Sequence, residues 1–390
     1  MRGLNVDDTN TRGFRIPRSR TFETHQALSG KFMAAIEPLV VNTYSHSSQV
    51  RSQLETEFAA VMDAKYAVAV GSGTIALFLA MRACGIGSGD EVITIANSDI
   101  STTAAVTNCG ARPVLCDVLQ TDYTIDTDQV EALITSNTRA ILPVDLHGHP
   151  ANVKALRPLA NHYGLKIIED AALATGAYDY GRPVGAFADA AAFSLAPFKP
   201  FGSAGNGGLV ITSDEEIYRN LCLLADYGHA PRGPNQLAAY QNYITEGYNV
   251  PLDALQAAIL LVKLPYLKEW TAKRRAIGEA LEAGLAGTSA RTPQLRPDSA
   301  PTFRSYTIRV DHQLKVHQGL RQAGIEAVIH YAPPIHHYTV YAPQGLPGAD
   351  NLPVTEKLAR QIVNLPVSPE LTADEVNYMI ETTTKLLQDL

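Results

Sequence analysis

The chain is predicted to be an α/β protein: a large domain with a mostly parallel seven-stranded sheet, then a smaller α+β C-terminal domain. Two observations carry this. Seven short apolar segments recur between residues 66 and 212: YAVAV (66–70), EVITI (91–95), RPVLCDV (112–118), RAILPVDL (139–146), LKIIED (165–170), AAAFSL (190–195) and GGLVIT (207–212). Strands this continuously apolar belong to a sheet covered on both faces. Helical stretches separate most of them, at 74–84, 101–109, 126–136 and 152–163, and repeated βα units imply right-handed crossovers and parallel pairing.

In chain order, residues 1–22 are polar and basic without an apolar period, which reads as a loose N-terminal arm. The large domain is placed at 23–250. It opens with a helix to about Val40, a Ser/His/Tyr-rich loop at 42–48, and a helix at 49–63 that aligns Val50, Leu54, Phe58 and Val61. After the last apolar segment come a helix to about Ala225 and a long Gly/Pro/Asn-rich connection at 229–249. Residues 251–290 read as a long helical connection, roughly Asp253 to Leu285, whose length suits a subunit interface. A break is expected near Pro265, because proline lacks the amide hydrogen a helix interior needs. The small domain, 291–390, starts with a Pro-rich linker at 291–300. It is expected to hold a strand at 306–310, a helix to Gly324, a strand at 326–330 and two later helices.

Composition excludes several classes. The chain is 46% hydrophobic and 18% charged, as a soluble globular protein is. A net charge of −7 and a pI near 5.9 leave no electrostatic footprint for nucleic acid or an anionic membrane. No apolar run approaches the ~18 residues of a membrane span, and no signal-peptide core opens the chain. The four cysteines form no CxxC pair, so they read as reduced, mostly buried thiols of a cytoplasmic protein.

The chemistry gathers where apolar segments end, which in a parallel sheet is the ligand-binding edge. Lys199 sits in a Pro-broken loop between Phe198 and Pro200. Apolar neighbours disfavour its charged form, which leaves a nucleophilic amine suited to a carbonyl or to pyridoxal phosphate (PLP). Gly71-Ser-Gly-Thr74 joins a strand to a helix, and free amides at a helix start favour a phosphate. It is neither a GxGxxG fingerprint nor a Walker loop, which excludes a Rossmann dehydrogenase. Asp170 ends a very apolar strand and needs either a cap or a cation, such as a protonated pyridine nitrogen. Ser194 precedes Lys199 by a short loop, and Asn249 closes Gly247-Tyr-Asn249. The run Ile329-His-Tyr-Ala-Pro-Pro-Ile-His-His337 carries no acidic or cysteine partner, so no metal is expected; its histidines read as packed or substrate-contacting.

In this order the segments resemble the DegT/DnrJ/EryC1/StrS family of PLP-dependent aminotransferases, which act on keto groups of sugars and cyclitols. The resemblance runs from about Gln49 to Leu387. Its motifs are SGTIAL (72–77), GSGDEVI (87–93), GARPVLCDV (110–118), IEDAA (168–172), FSLAPFK (193–199), GNGG (205–208), GYN (247–249), LQAA (255–258), IHY (329–331) and NLPVSPELT (364–372). It implies the aspartate-aminotransferase, or type I, fold and PLP as cofactor. It also implies that Lys199 is the Schiff-base lysine and that Asp170 holds the pyridine nitrogen. Gly73, Thr74, Ser194 and, across a homodimer with shared sites, Asn249 would hold the phosphate.

Three positions depart from the family pattern. Asp99 stands where an aromatic ring usually stacks on the cofactor, Leu173 where Gln or His follows EDAA, and Pro251 where GYN is followed by an arginine-bearing segment. The expected activity is transfer of an amino group from glutamate or glutamine to a keto-sugar, keto-cyclitol or related ketone in secondary metabolism. His330, Tyr331, His229 and Arg232 are the candidate substrate residues. A PLP enzyme of another reaction type (cyclase, eliminase or epimerase) stays open as an alternative, as does a non-enzymatic sensor that keeps the fold.

Overall fold

A computed structural model describes residues 13–41, 47–229 and 243–390. Helices α1 (Thr21–Val41) and α2 (Ser47–Val61) precede β1 (Tyr66–Val70), α3 (Gly73–Ala83), β2 (Glu91–Ile95), α4 (Ile100–Asn108) and β3 (Arg112–Cys116). There follow β4 (Thr138–Ile141), α5 (Val153–Tyr163), β5 (Lys166–Asp170), the short β6 (Tyr178–Asp179) and β7 (Arg182–Pro183), then β8 (Ala190–Ser194), β9 (Gly208–Thr212) and α6 (Glu215–Ala225). Seven strands make one sheet in the order β1-β9-β8-β5-β4-β2-β3.

Alternation along each strand splits its side chains between two cores. Val68, Val70, Ala190, Ala192 and Val210 pack with α3 on one face. Ala67, Ala69, Ala191, Phe193, Leu209 and Ile211 pack on the other with Leu54 and Phe58 of α2. Both faces are therefore apolar, which is why these strands show no polar alternation in sequence.

The sheet is mostly parallel, as expected, with one reversed strand, and two other expectations need correction. β9 runs antiparallel to both β1 and β8. The β8–β9 link, residues 195–207, is a Pro/Gly loop without the helix that usually carries a parallel crossover. Residues 126–136 form no α-helix, only one 3₁₀ turn at Glu131–Leu133. There the Thr135 amide donates to Thr138 Oγ1 at 2.9 Å and the Asn137 amide to Thr135 Oγ1 at 3.1 Å, local bonds that compete with a helix ladder. Residues 326–330 form no strand: Val328 makes one isolated bridge to Asn364, and the His330 amide then donates to the Asn364 side chain at 2.7 Å, which ends the pairing.

Beyond the large sheet, α7 (Ala254–Lys263), a 3₁₀ turn at Leu264–Tyr266 and α8 (Leu267–Leu285) place the break at Pro265, as expected. α7 is covered within the chain: Ala257 and Leu260 join the α2 core, and Ile259 packs on Leu28 and Phe32 of α1. The C-terminal part holds β10 (Ser299–Ala300), which extends the β6–β7 pair, then β11 (Ser305–Arg309), α9 (Gln313–Gln322), α10 (Pro353–Ala359), β12 (Ile362–Pro366) and α11 (Ala373–Gln388). β11 and β12 pair antiparallel over a core that includes Tyr306, Ile308, Val363 and Met379.

The described part of the arm, 13–20, is anchored rather than loose. Ile16 is fully buried, accepts from the Glu326 amide at 2.8 Å and donates to Gly324 O at 2.9 Å. Cys109 and Cys116 are buried, Cys84 partly so, Cys222 is exposed, and all four are free. No described helix is long and apolar enough to cross a membrane.

Candidate active site

The carboxyl ends of β1, β2, β5 and β8 open into a cavity of about 350 Å³. Its lining includes Gly73, Thr74, Asp99, Leu173, Ser194, Lys199, His330 and Tyr331. Asp170 lies just beneath, 4% exposed at the end of β5.

α3 starts at this edge because Ser72 caps it, accepting from the Ile75 amide at 3.2 Å. The amides of Gly73 and Thr74 then have no intrahelical acceptor. The turn is pressed against the neighbouring strand ends. A Cβ on Gly73 would lie 2.7 Å from Ser194 Cβ, and one on Gly208 would lie 2.3 Å from Ser72 O. Glycine at both places is thus a matter of space, and the close approach sets the Ser194 hydroxyl beside the helix start. That donor set fits a phosphate.

Asp170 is held from two sides. Thr102 Oγ1 donates to its Oδ2 at 2.9 Å, and the Ala172 amide donates to Oδ1 at 3.2 Å. The one Thr102 proton goes to the carboxylate, so at 2.8 Å the Ser98 hydroxyl is donor to Thr102. Burial pushes the Asp170 carboxyl above its ordinary range, and these two bonds and the Lys199 charge oppose that. A cation arriving at Asp170 would relieve it further, as a protonated pyridine nitrogen would.

Lys199 is partly buried, and its surroundings pull its pKa to about 8 through desolvation first and the Arg304 charge second. Asp170 and Asp99 act the other way. Asp99 caps α4, accepting from the Ser101 amide at 2.9 Å and the Ser101 hydroxyl at 2.7 Å, and remains exposed at the cavity rim. Leu173 offers an apolar wall. His330 stacks on Tyr331 with ring centroids 4.8 Å apart, and burial, then Arg304 and Arg18, lower its pKa to about 4.

The remaining sequence candidates lie elsewhere. His229 is off the cavity, bridged to Tyr243 with ring centroids 4.6 Å apart and 3.6 Å from Asp226. Asn249 is exposed and bridged to Asp226, also away from this chain's cavity. Arg232 lies outside the described residues. The histidine run does meet an acid in space: Glu356 Oε1 of α10 lies 2.8 Å from His336 Nε2 and 2.5 Å from His337 Nε2. These three side chains could share an ion, a grouping that the run by itself does not display.

Sequence reasoning missed Arg18, His147, Arg304, Glu326 and Asn364, all in the cavity wall. Only Asn364 stood within a quoted motif, and only His147 directly follows one of the seven apolar segments, RAILPVDL.

A reactive lysine, a buried carboxylate and a helix start at one edge of a mostly parallel sheet define the class, and three comparisons specify it. The sequence model of the DegT/DnrJ/EryC1/StrS aminotransferase family matches residues 29–384, and the chain belongs to that family. It is 39% identical over 328 residues to the dTDP-3-amino-3,4,6-trideoxy-alpha-D-glucose transaminase of Streptomyces venezuelae, covering 84% of each chain. The structure of S. venezuelae DesV in complex with a ketimine intermediate superposes with a TM-score of 0.89 at 36% identity, over 96% of this chain and 99% of that one. The structure of NtdA from Bacillus subtilis with bound cofactor PMP superposes with a TM-score of 0.83 at 28% identity, over 92% of this chain and 82% of that one. The fold is thus the aspartate-aminotransferase type, and the chain is an aminotransferase.

Proposed function

We propose that this aminotransferase uses PLP to move an amino group from glutamate or glutamine to a keto-sugar, keto-cyclitol or related ketone of secondary metabolism. The observation that carries the reading is a single cavity in which a lysine amine with pKa near 8 stands over a buried, hydrogen-bonded carboxylate and beside a helix start. Sugar-directed relatives support the acceptor class.

Bound PLP supplies an aldehyde that exchanges with amines and a ring that accepts electrons from the substrate carbon. In this reading the amides of Gly73 and Thr74 and the Ser194 hydroxyl donate to its phosphate, joined by Asn249 of the partner subunit. Asp170 keeps a proton at the ring nitrogen, oriented by Thr102 and the Ala172 amide. Leu173 packs against the ring and Asp99 stands near it. Lys199 holds the cofactor through its amine. When free, that amine would be partly neutral near neutral pH and could take up and release a proton at Nζ. His330 and Tyr331 face the substrate.

We divide the chain as arm, large cofactor domain, helical connection and small domain, and read it as a homodimer with shared sites. Support for a second copy comes from apolar side chains left exposed on α1 (Phe22, Met33, Val40, Val41) and near Asn249 (Tyr243, Ile244, Tyr248). A fully active monomer by light scattering would refute this. The absence of a membrane-spanning helix among the described residues accords with a cytoplasmic enzyme.

Asp99 at the rim and Pro251 in place of a guanidinium favour a second reading, another reaction type on the same cofactor. Borohydride reduction of the holoenzyme followed by peptide mapping should label Lys199. In separate, unreduced holoenzyme, glutamate or glutamine should convert the cofactor to its amine form in one half-reaction. Label on another lysine overturns the cofactor reading; no amine form with any amino donor leaves the second reading.

A further inference from the structure

Arg304 directly precedes β11, where its amide donates to His147 O at 2.8 Å. The residue is only 7% exposed, yet its guanidinium lines the cavity instead of being sealed in protein. Arg18 of the anchored arm lines the same wall. Among the described residues neither guanidinium has an ion-pair partner. The nearby Glu326 carboxylate is taken up by the Arg18 amide, at 2.8 Å. Glu326 attracts Arg304 without reaching ion-pair distance, and a desolvated cation left without a direct partner is costly, so this wall suits an anion that arrives. Burial lowers the Arg304 pKa to about 9, which still leaves it charged at neutral pH.

We propose that Arg304, with Arg18 beside it, is the subsite for the α-carboxylate of the amino donor, an assignment that rests on the proposed aminotransferase chemistry. Position selects the donor over a nucleotide diphosphate. The Phe198 ring centre lies 5.7 Å from Lys199 Nζ, 5.9 Å from the Arg304 guanidinium carbon and 5.8 Å from that of Arg18. The donor's carboxylate is one bond from the carbon whose proton Lys199 moves, so its binding group must stand beside Lys199. A diphosphate is several bonds from the ketone carbon and would sit farther out. His330 is neutral at this pH, so the wall's positive charge comes from guanidinium groups, which pair with carboxylates through parallel hydrogen bonds. Pro251 offers no such group, and Arg304 supplies one from another part of the chain.

The test compares holoenzyme with Arg304→Gln, Arg304→Lys and Arg18→Gln. Stopped-flow half-reactions use L-glutamine and L-isoglutamine, whose α-carboxylate is an amide. Calorimetry measures 2-oxoglutarate and, as the diphosphate probe, dTDP. Arg304→Gln should weaken saturation by L-glutamine and binding of 2-oxoglutarate about ten- to a hundredfold, with L-isoglutamine and dTDP unchanged. Arg304→Lys should recover part of the loss, and Arg18→Gln should show a smaller one. Unchanged donor saturation in Arg304→Gln, or a loss confined to dTDP, overturns the assignment. Borohydride labelling of Lys199 separates the two readings: label retained with donor saturation unmoved defeats only the arginine subsite, whereas no label in the unaltered enzyme defeats the cofactor chemistry itself.

Discussion

Gly73, Thr74, Asp170 and Ser194 form one part of the cavity, and Arg18, Arg304, Glu326 and His330 another, yet the two are assembled differently. Each residue of the first group ends or follows a strand of the large sheet: β5 pairs parallel with β8, and β9, antiparallel to both β8 and β1, brings the end of β1 to the same edge. Those of the second group come from the arm, the approach to β11 and a bridged segment after α9. They meet only because Ile16 pairs with Ile325 and β11 pairs with β12. A site can therefore be half local pattern and half long-range packing. In the proposed reading, the half that would hold the cofactor is the local one, while the half that would face the substrate depends on how separate units dock.

The largest effect should fall on Lys199. Lys199→Ala should remove borohydride labelling at this position and lower turnover by at least about 10²–10⁴-fold, the usual weight of a positioned acid–base group. The pH dependence follows from its depressed pKa. In cofactor-free protein the amine should react with an amine-selective reagent with a midpoint near 8, where exposed lysines need about 10.5. Because the fold prefers the neutral amine, the Lys199 contribution to stability rises with pH from about 8 to 10.5 and is lost as pH falls through that window. A midpoint at the ordinary lysine value would contradict the burial argument.

Asp170→Asn should come next. It keeps the shape and the Thr102 contact but removes the charge facing the ring nitrogen, a charge-assisted bond contributing roughly 1.5–3 kcal/mol, so the donor half-reaction should slow about ten- to a hundredfold. Gly73→Ala tests the local part sterically. Its Cβ would press within 2.7 Å of Ser194 Cβ, and overpacking of this kind costs about 1–3 kcal/mol. Weaker cofactor retention and a lower melting temperature should appear together; unchanged retention would show that the turn does not cradle the phosphate. Asp99→Asn should do least. Asparagine still caps α4, and the exposed charge is screened by solvent, so anionic donors should bind only a few-fold more tightly with melting within about 0.5 kcal/mol of the parent. A larger gain would mean that Asp99 governs substrate charge more strongly than its exposure allows.

The alternation of apolar strands and helices determined the sheet, its two-sided burial and the edge where Lys199, Asp170, Ser194 and the Gly73 turn converge, because each depends on chain within a few residues. Sequence also placed the Pro265 break. It did not determine the reversed direction of β9, whose link to β8 carries no crossover helix, or the unwinding of 126–136, where side-chain hydroxyls capture the backbone. Nor could it place His229 off the cavity, since that depends on its pairing with Tyr243. Above all, tertiary structure alone decided that the arm's Arg18 and the distant Arg304 stand beside Lys199. An arginine carries no periodic or turn signature, and its meaning here comes from lacking a direct ion-pair partner among the described residues, a property that exists only once the chain is folded.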